Sequence, residues 1–93
     1  MMRILTTPTF DRVAKKLHRT QKAELDKAVT KISEDPELGA AKVGDLVGVR
    51  VFKFRISKQE YLLSYRVIDE CCIKLLTLGT HENYYRDLKR QEH

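Results

Sequence analysis

Val49-Arg50-Val51-Phe52-Lys53-Phe54-Arg55-Ile56 is the stretch from which the fold of this chain is read. Eight residues without Gly or Pro, rich in β-branched and aromatic side chains, predict a strand. The period of two places Phe52, Phe54 and Ile56 on one face and Val51, Lys53 and Arg55 on the other, so one face packs and the other presents cations. Further on, Gly79-Thr80-His81-Glu82-Asn83-Tyr84-Tyr85 leaves another strand and brings a histidine and two tyrosines toward the edge of the sheet. A flat face with evenly spaced positive charge, edged by a proton-transfer group and aromatic rings, suits a phosphodiester.

The neighbouring segments complete the sheet. Ser57-Lys58-Gln59 reads as a turn, after which residues 60–68 alternate again, with Tyr61, Leu63, Tyr65 and Val67 against Leu62, Ser64 and Arg66. Asp69-Glu70 makes the next turn. Residues 71–78 are apolar on both sides except at Lys74, as expected of an interior strand. Upstream, residues 36–48 read as a loop punctuated by Gly39, Gly44 and Gly48. Before the loop, Leu25, Ala28, Val29 and Ile32 follow helical spacing from an expected N-cap at Thr20 to the stop at Asp35-Pro36. Earlier still, Phe10, Val13, Ala14 and Leu17 mark a helix capped by Thr7 with Pro8 at its first position. Met2-Arg3-Ile4-Leu5-Thr6 is a short first strand, and residues 82–90 fit a last short helix.

The expected fold is α+β: an N-terminal strand, an antiparallel helical hairpin, then a three- to four-strand antiparallel sheet with helices on one face and a short C-terminal helix. The face away from the helices is expected to be free, with Lys53, Arg55, Ser64 and Arg66 turned to solvent.

Ninety-three residues form one domain, 1–93, with one core. The formal charge of +5 favours a polyanionic partner through counterion release. Lys15, Lys16, Arg19, Lys22, Lys27 and Lys31 make the outer side of the hairpin basic, which reads as a solvated face or, alternatively, as a contribution to RNA docking. No run of about eighteen apolar residues could cross a membrane, and the N-terminus lacks the apolar stretch of a signal peptide. A cytoplasmic protein without membrane contact is expected. Cys71 and Cys72 are adjacent, read as reduced thiols, and lack the spacing of a zinc site. No metal ligand cluster, P-loop or serine triad is visible, so no cofactor is expected.

The order of these elements resembles that of the RelE/ParE superfamily of type II toxin-antitoxin toxins. The resemblance runs over nearly the whole chain, through Gly44-Asp45-Leu46-Val47-Gly48-Val49-Arg50, Lys53-Phe54-Arg55, Tyr61-Leu62-Leu63-Ser64-Tyr65-Arg66-Val67 and Leu78-Gly79-Thr80-His81. It implies a RelE-like fold and a toxin that cuts mRNA on the ribosome, is neutralised by a cognate antitoxin protein, and can assemble with it as a heterotetramer. Lys53 and Arg55 fall on the two strand lysines of RelE-type enzymes. Tyr84 or Tyr85 stands near the family's C-terminal catalytic tyrosine. Gly79-Thr80-His81 looks like the YafQ branch, whose histidine at this place takes part in catalysis. Leu62 departs from the pattern, since RelE-type sequences carry an active-site arginine there. That departure keeps open a ParE-like gyrase inhibitor without nuclease activity, or an inactive binding module of the same fold.

RNA cleavage without a metal needs a base for the 2′-hydroxyl, an acid for the leaving 5′-oxygen and positive charge on the phosphate. His81 is the candidate for proton transfer. Lys53 and Arg55 are the candidates for stabilising the transition state, and Arg50 and Arg66 for further phosphate contacts. Tyr84 and Tyr85 would stack on a base or hydrogen-bond the phosphate, while Glu82 either orients His81 or caps the last helix.

Overall fold

The computed structural model describes residues 2–42 and 47–80. The elements follow in the order β1 (Arg3–Thr6), α1 (Pro8–Lys15), α2 (Arg19–Glu34), β2 (Ala40–Ala41), β3 (Val49–Ile56), β4 (Gln59–Asp69) and β5 (Cys72–Thr80). They build one sheet of order β1-β5-β4-β3-β2. The fold is α+β with a helical hairpin, as the patterning implies, but the sheet has five strands and is mixed: β1 pairs parallel with β5, the other pairs being antiparallel. A parallel neighbour needs a long connection, and here the helices and the β2–β4 meander all lie between the two partners. The last short helix expected over residues 82–90 lies outside the described residues.

Thr7 starts α1 as expected. Its hydroxyl accepts from the Phe10 amide at 3.1 Å and donates to the Leu76 carbonyl at 2.5 Å, while its own amide donates to Leu75 at 3.1 Å. One buried side chain thus caps the helix and ties it to β5. Thr7→Ala is expected to lower stability by about 2 kcal/mol, the sum of a lost cap and an orphaned carbonyl, measurable by urea unfolding.

The second helix does not begin at Thr20. Its N-cap is His18, whose amide donates to Gln21 Oε1 at 2.7 Å, and Lys22 donates to the His18 carbonyl at 2.8 Å. A glutamine three positions on, reaching back to the cap amide, closes the turn and leaves Thr20 inside the first turn.

The hairpin presents Phe10, Leu25 and Ile32 to Leu63, Tyr65, Ile73, Leu75 and Leu78 of the sheet, all buried. Phe52, Phe54 and Tyr61 extend this face as a row of rings with centroids 6.2 and 6.1 Å apart. The opposite face differs from the expectation of a free surface. Val49, Val51, Leu62 and Leu76 form a second buried cluster. Ser64 and Thr77, both 0% exposed, satisfy each other at 2.5 Å. A register shift after Ser64, which pairs with Thr77 while Tyr65 pairs with Leu75, inserts Leu76 between them. Ser64 is therefore an internal hydroxyl and not part of a solvated face, and among the described residues charge on this face stands at its two ends.

The β3–β4 hairpin turns on two residues, with Ile56 opposite Gln59 and Ser57 at φ 56, the conformation a type II′ turn asks of its first central residue. At the next turn the Cys71 amide donates to Asp69 Oδ1 at 2.7 Å. Cys71 is exposed and Cys72 buried, both as free thiols. Among the described residues no helix is long and apolar enough to cross a membrane.

Candidate nucleic-acid interface

Lys53 and Arg55 are both exposed, next but one to each other on β3, and stand on the face opposite the helices. Lys53 pairs with Leu62, which pairs in turn with Gly79; Arg55 pairs with Glu60. Among the described residues this part of β3 is an edge of the sheet, because β2 pairs only with Arg50 and Val51. The Lys42 amide bonds the Val49 carbonyl at 2.9 Å. Since alternate residues of an antiparallel ladder point the same way, the backbone amides of Lys53 and Arg55 also face that open edge. Two side-chain cations and two outward N–H groups therefore coincide, a combination that favours an oxyanion.

The helices add to this field. A cleft between α2 and the β3 edge is lined by Lys27, Lys31, Lys53 and Arg55 with a single carboxylate, Glu24, which Lys27 engages at 3.3 Å. The basic side of the hairpin is thus not uniformly remote from the site: Lys27 and Lys31 border the same cleft as the strand cations. Their spacing of four on α2 carries that information only once the helix is docked on β3.

The other sequence-derived residues separate. Arg50 lies on the helix face, opposite Tyr65, and its Nη1 donates to the carbonyls of Glu37 at 3.1 Å and Gly39 at 2.8 Å. It braces the lead into β2, and the fold does not bring it to Lys53 and Arg55. Arg66 does share their face but sits at its far end opposite Val49, with Nη1 donating to the Val47 carbonyl at 3.2 Å. Leu62, 1% exposed, is part of the second buried cluster directly beside Lys53. His81, Tyr84, Tyr85 and Glu82 lie outside the described residues. The last described residue, Thr80, ends β5 opposite Tyr61, which faces Phe54 across β4 and β3. Strand β5 therefore ends level with the Lys53–Arg55 segment. Among the described residues no three His, Cys, Asp or Glu side chains are grouped to hold a metal ion.

Tyr65 packs in the helix-side core and also anchors the loop before β2. Its hydroxyl donates to the Pro36 carbonyl at 2.6 Å and accepts from the Gly39 amide at 3.0 Å. A Cβ on Gly39 would lie 2.8 Å from that oxygen and 3.1 Å from the Val51 backbone, so only glycine lets the loop approach. Burial raises the Tyr65 pKa above its ordinary 10.0, against the opposing pull of the Gly39 amide and the Arg50 charge. A raised folded-state value means that the contribution of the neutral phenol is complete below about pH 10 and is lost as pH climbs through the folded-state value. Tyr65→Phe is expected to cost about 1–3 kcal/mol, because a buried amide and carbonyl lose their partner. The alkaline loss of stability should shrink with it, which chemical unfolding at a series of pH values measures.

No curated protein matches the sequence. Among solved structures, the doubly substituted RelE toxin of E. coli in the free state is 25% identical, with a TM-score of 0.72 and 96% of each chain covered. The toxin-antitoxin complex RelBE2 of Mycobacterium tuberculosis matches at 26% identity and a TM-score of 0.64, over 86% of this chain and 98% of that one. The intact E. coli RelBE complex shares the fold at 23% identity and a TM-score of 0.71, covering 86% of this chain and 96% of its counterpart. The family model for a ParE-like toxin of type II bacterial toxin-antitoxin systems matches residues 4–89. With nearly the whole chain matched and the hairpin-on-sheet architecture shared, this protein belongs to the ParE-like toxins of type II bacterial toxin-antitoxin systems.

Proposed function

We propose that this toxin is an endoribonuclease that cuts mRNA on the ribosome and so blocks translation, and that a cognate antitoxin protein neutralises it. The observation that carries the reading is the exposed Lys53–Arg55 pair on an open sheet edge, bordered by Lys27 and Lys31, at the level where β5 ends one residue before His81. Lys53 and Arg55 hold the scissile phosphate and take up the charge that grows on it in the transition state. His81 moves the proton, to or from the ribose 2′-hydroxyl or the leaving oxygen, and Tyr84 or Tyr85 stacks on a neighbouring base. No cofactor enters this scheme. The structures of RelB-bound RelE and of RelBE2 support the antitoxin as partner, since a small acidic segment laid over such a basic edge would remove the phosphate site.

One observation favours a second reading. Leu62 is buried beside Lys53 where RelE-type sequences carry arginine, and the matching family model is a ParE-like one. A gyrase inhibitor with no nuclease activity follows from that side. Two assays run in parallel separate them: cleavage of mRNA on programmed ribosomes, and supercoiling by gyrase. Cut mRNA with intact supercoiling is the expected result; intact mRNA with blocked supercoiling would replace the ribonuclease by the gyrase inhibitor.

A further inference from the structure

The row of rings Tyr61, Phe54, Phe52 ends at Phe52, which among the described residues has a ring on one side only, that of Phe54 at 6.2 Å with 14° between the planes. Phe52 is half-buried. It packs against the margin of the helix-side core and still borders the cleft between α2 and β3. The apolar lining of that cleft is Phe52, Phe54 and Ala28, and its cations are Lys27 and Lys31 from α2 with Lys53 and Arg55 from β3. An aromatic face beside positive charge is the arrangement on which an unpaired base stacks while its phosphate is held.

The fold itself does not account for these charges. Lys27 and Lys31 stand four apart on α2, a spacing at which like charges repel. Glu24 engages Lys27 at 3.3 Å, whereas Lys31, Lys53 and Arg55 have no ion pair among the described residues. The helix dipole favours a cation in the last turn of α2, at Lys31, but not at Lys27, which lies well inside the helix. Core packing explains the rings and not the cations set around them.

The cleft is also a short step from the scissile phosphate. Phe52 and Phe54 alternate along β3 with Lys53 and Arg55, so the two pairs lie on opposite faces of one strand. Between the faces, the amides of Lys53 and Arg55 point out of the edge that β2 leaves uncovered among the described residues. An RNA strand held at Lys53 and Arg55 can pass over this edge, along its N–H groups, and enter the cleft. Every side chain named on that path is exposed or half-buried.

We propose that this cleft is the subsite for the nucleotide next to the scissile bond, with its base against the Phe52 ring and its far phosphate held by Lys31 and Lys27. The proposal rests on the ribonuclease reading and adds to it a bent path for the RNA, round the edge of β3, and one base that the protein senses by stacking.

The test runs on programmed ribosomes whose mRNA carries a single abasic nucleotide, moved one position at a time past the mapped cut. With full-length wild-type protein, one position beside the cut should raise the half-saturating toxin concentration about fivefold or more, the scale of one stacked base. In Phe52→Leu, which keeps an apolar side chain at the core margin, the same lesion should have little effect, because the two changes remove one interaction and do not add. Phe52→Met is the second ring-free variant should Phe52→Leu melt early. Lys31→Ala should raise the half-saturating concentration and lower the slope of its logarithm against log salt by about 0.7, one phosphate contact on a single strand, and Lys31→Arg should restore both. A wild-type protein indifferent to the lesion at every position, or a folded ring-free variant as sensitive to it as wild type, would overturn the subsite and leave the ribonuclease standing. A wild-type protein that cuts no mRNA removes both. If the ring-free variants and Lys31→Ala lose affinity for an antitoxin peptide while cleavage is unchanged, the cleft is a protein contact and the proposal fails.

Discussion

His81→Gln is expected to lose at least roughly a hundredfold in the single-turnover rate of mRNA cleavage, the usual scale for a positioned proton-transfer group, with RNA binding retained. Glutamine keeps the size and hydrogen-bonding capacity of the side chain but cannot take up and release a proton near neutrality. The wild-type rate should therefore follow a pH profile that the variant lacks. Cleavage by the variant at the wild-type rate would move proton transfer to a C-terminal tyrosine, leaving the proposed role of Lys53 and Arg55 unchanged.

Lys53→Ala and Arg55→Ala form the second pair. Removing a preorganised charge from a developing oxyanion costs on the order of a hundred- to a thousandfold in rate, so each single variant should be non-toxic when expressed without antitoxin. Both side chains are exposed at an open edge, so melting temperatures should stay close to wild type, since surface substitutions move stability by about 0.5 kcal/mol or less. Arg55→Lys should recover only part of the activity, because an ammonium replaces a bidentate fork with a point charge. Loss of folding in either alanine variant would contradict the assignment of these residues to the outer face. The doubly neutral variant is informative for the antitoxin as well: if the inhibitor covers the same edge, its affinity should fall alongside that for RNA and with a smaller salt dependence.

The candidate site was legible in unequal parts. The exposed pair Lys53 and Arg55 could be read directly from alternation along β3, because one residue's side fixes its neighbours' sides. Arg50, a candidate phosphate contact in the sequence, stands apart from that pair for a reason the alternation itself contains. It shares the parity of Phe52 and Phe54, and therefore the helix face, where loop carbonyls of Glu37 and Gly39 receive it. Ser64 had the right face but the wrong environment, since a hydroxyl buried against Thr77 and a hydroxyl in solvent look alike in sequence.

Local chemistry settled what local chemistry can: Thr7-Pro8 as a helix start, helix termination at Asp35-Pro36, tight turns between β3, β4 and β5, and the division of β3 into an apolar and a cationic face. These follow from backbone dihedrals, capping and a period of two, all of which act over a few residues. What only the tertiary structure decided depends on partners far away in the chain. The two-residue strand Ala40–Ala41 exists because Tyr65, 26 residues from Gly39, and Arg50 hold the loop against β3. The parallel docking of β1 on β5, the burial of Leu62 and Leu76 in a second cluster, and the meeting of Lys27 and Lys31 with Lys53 and Arg55 have the same character. Such contacts are set by which surfaces bury each other best once the elements exist, and no window of sequence contains both halves of them.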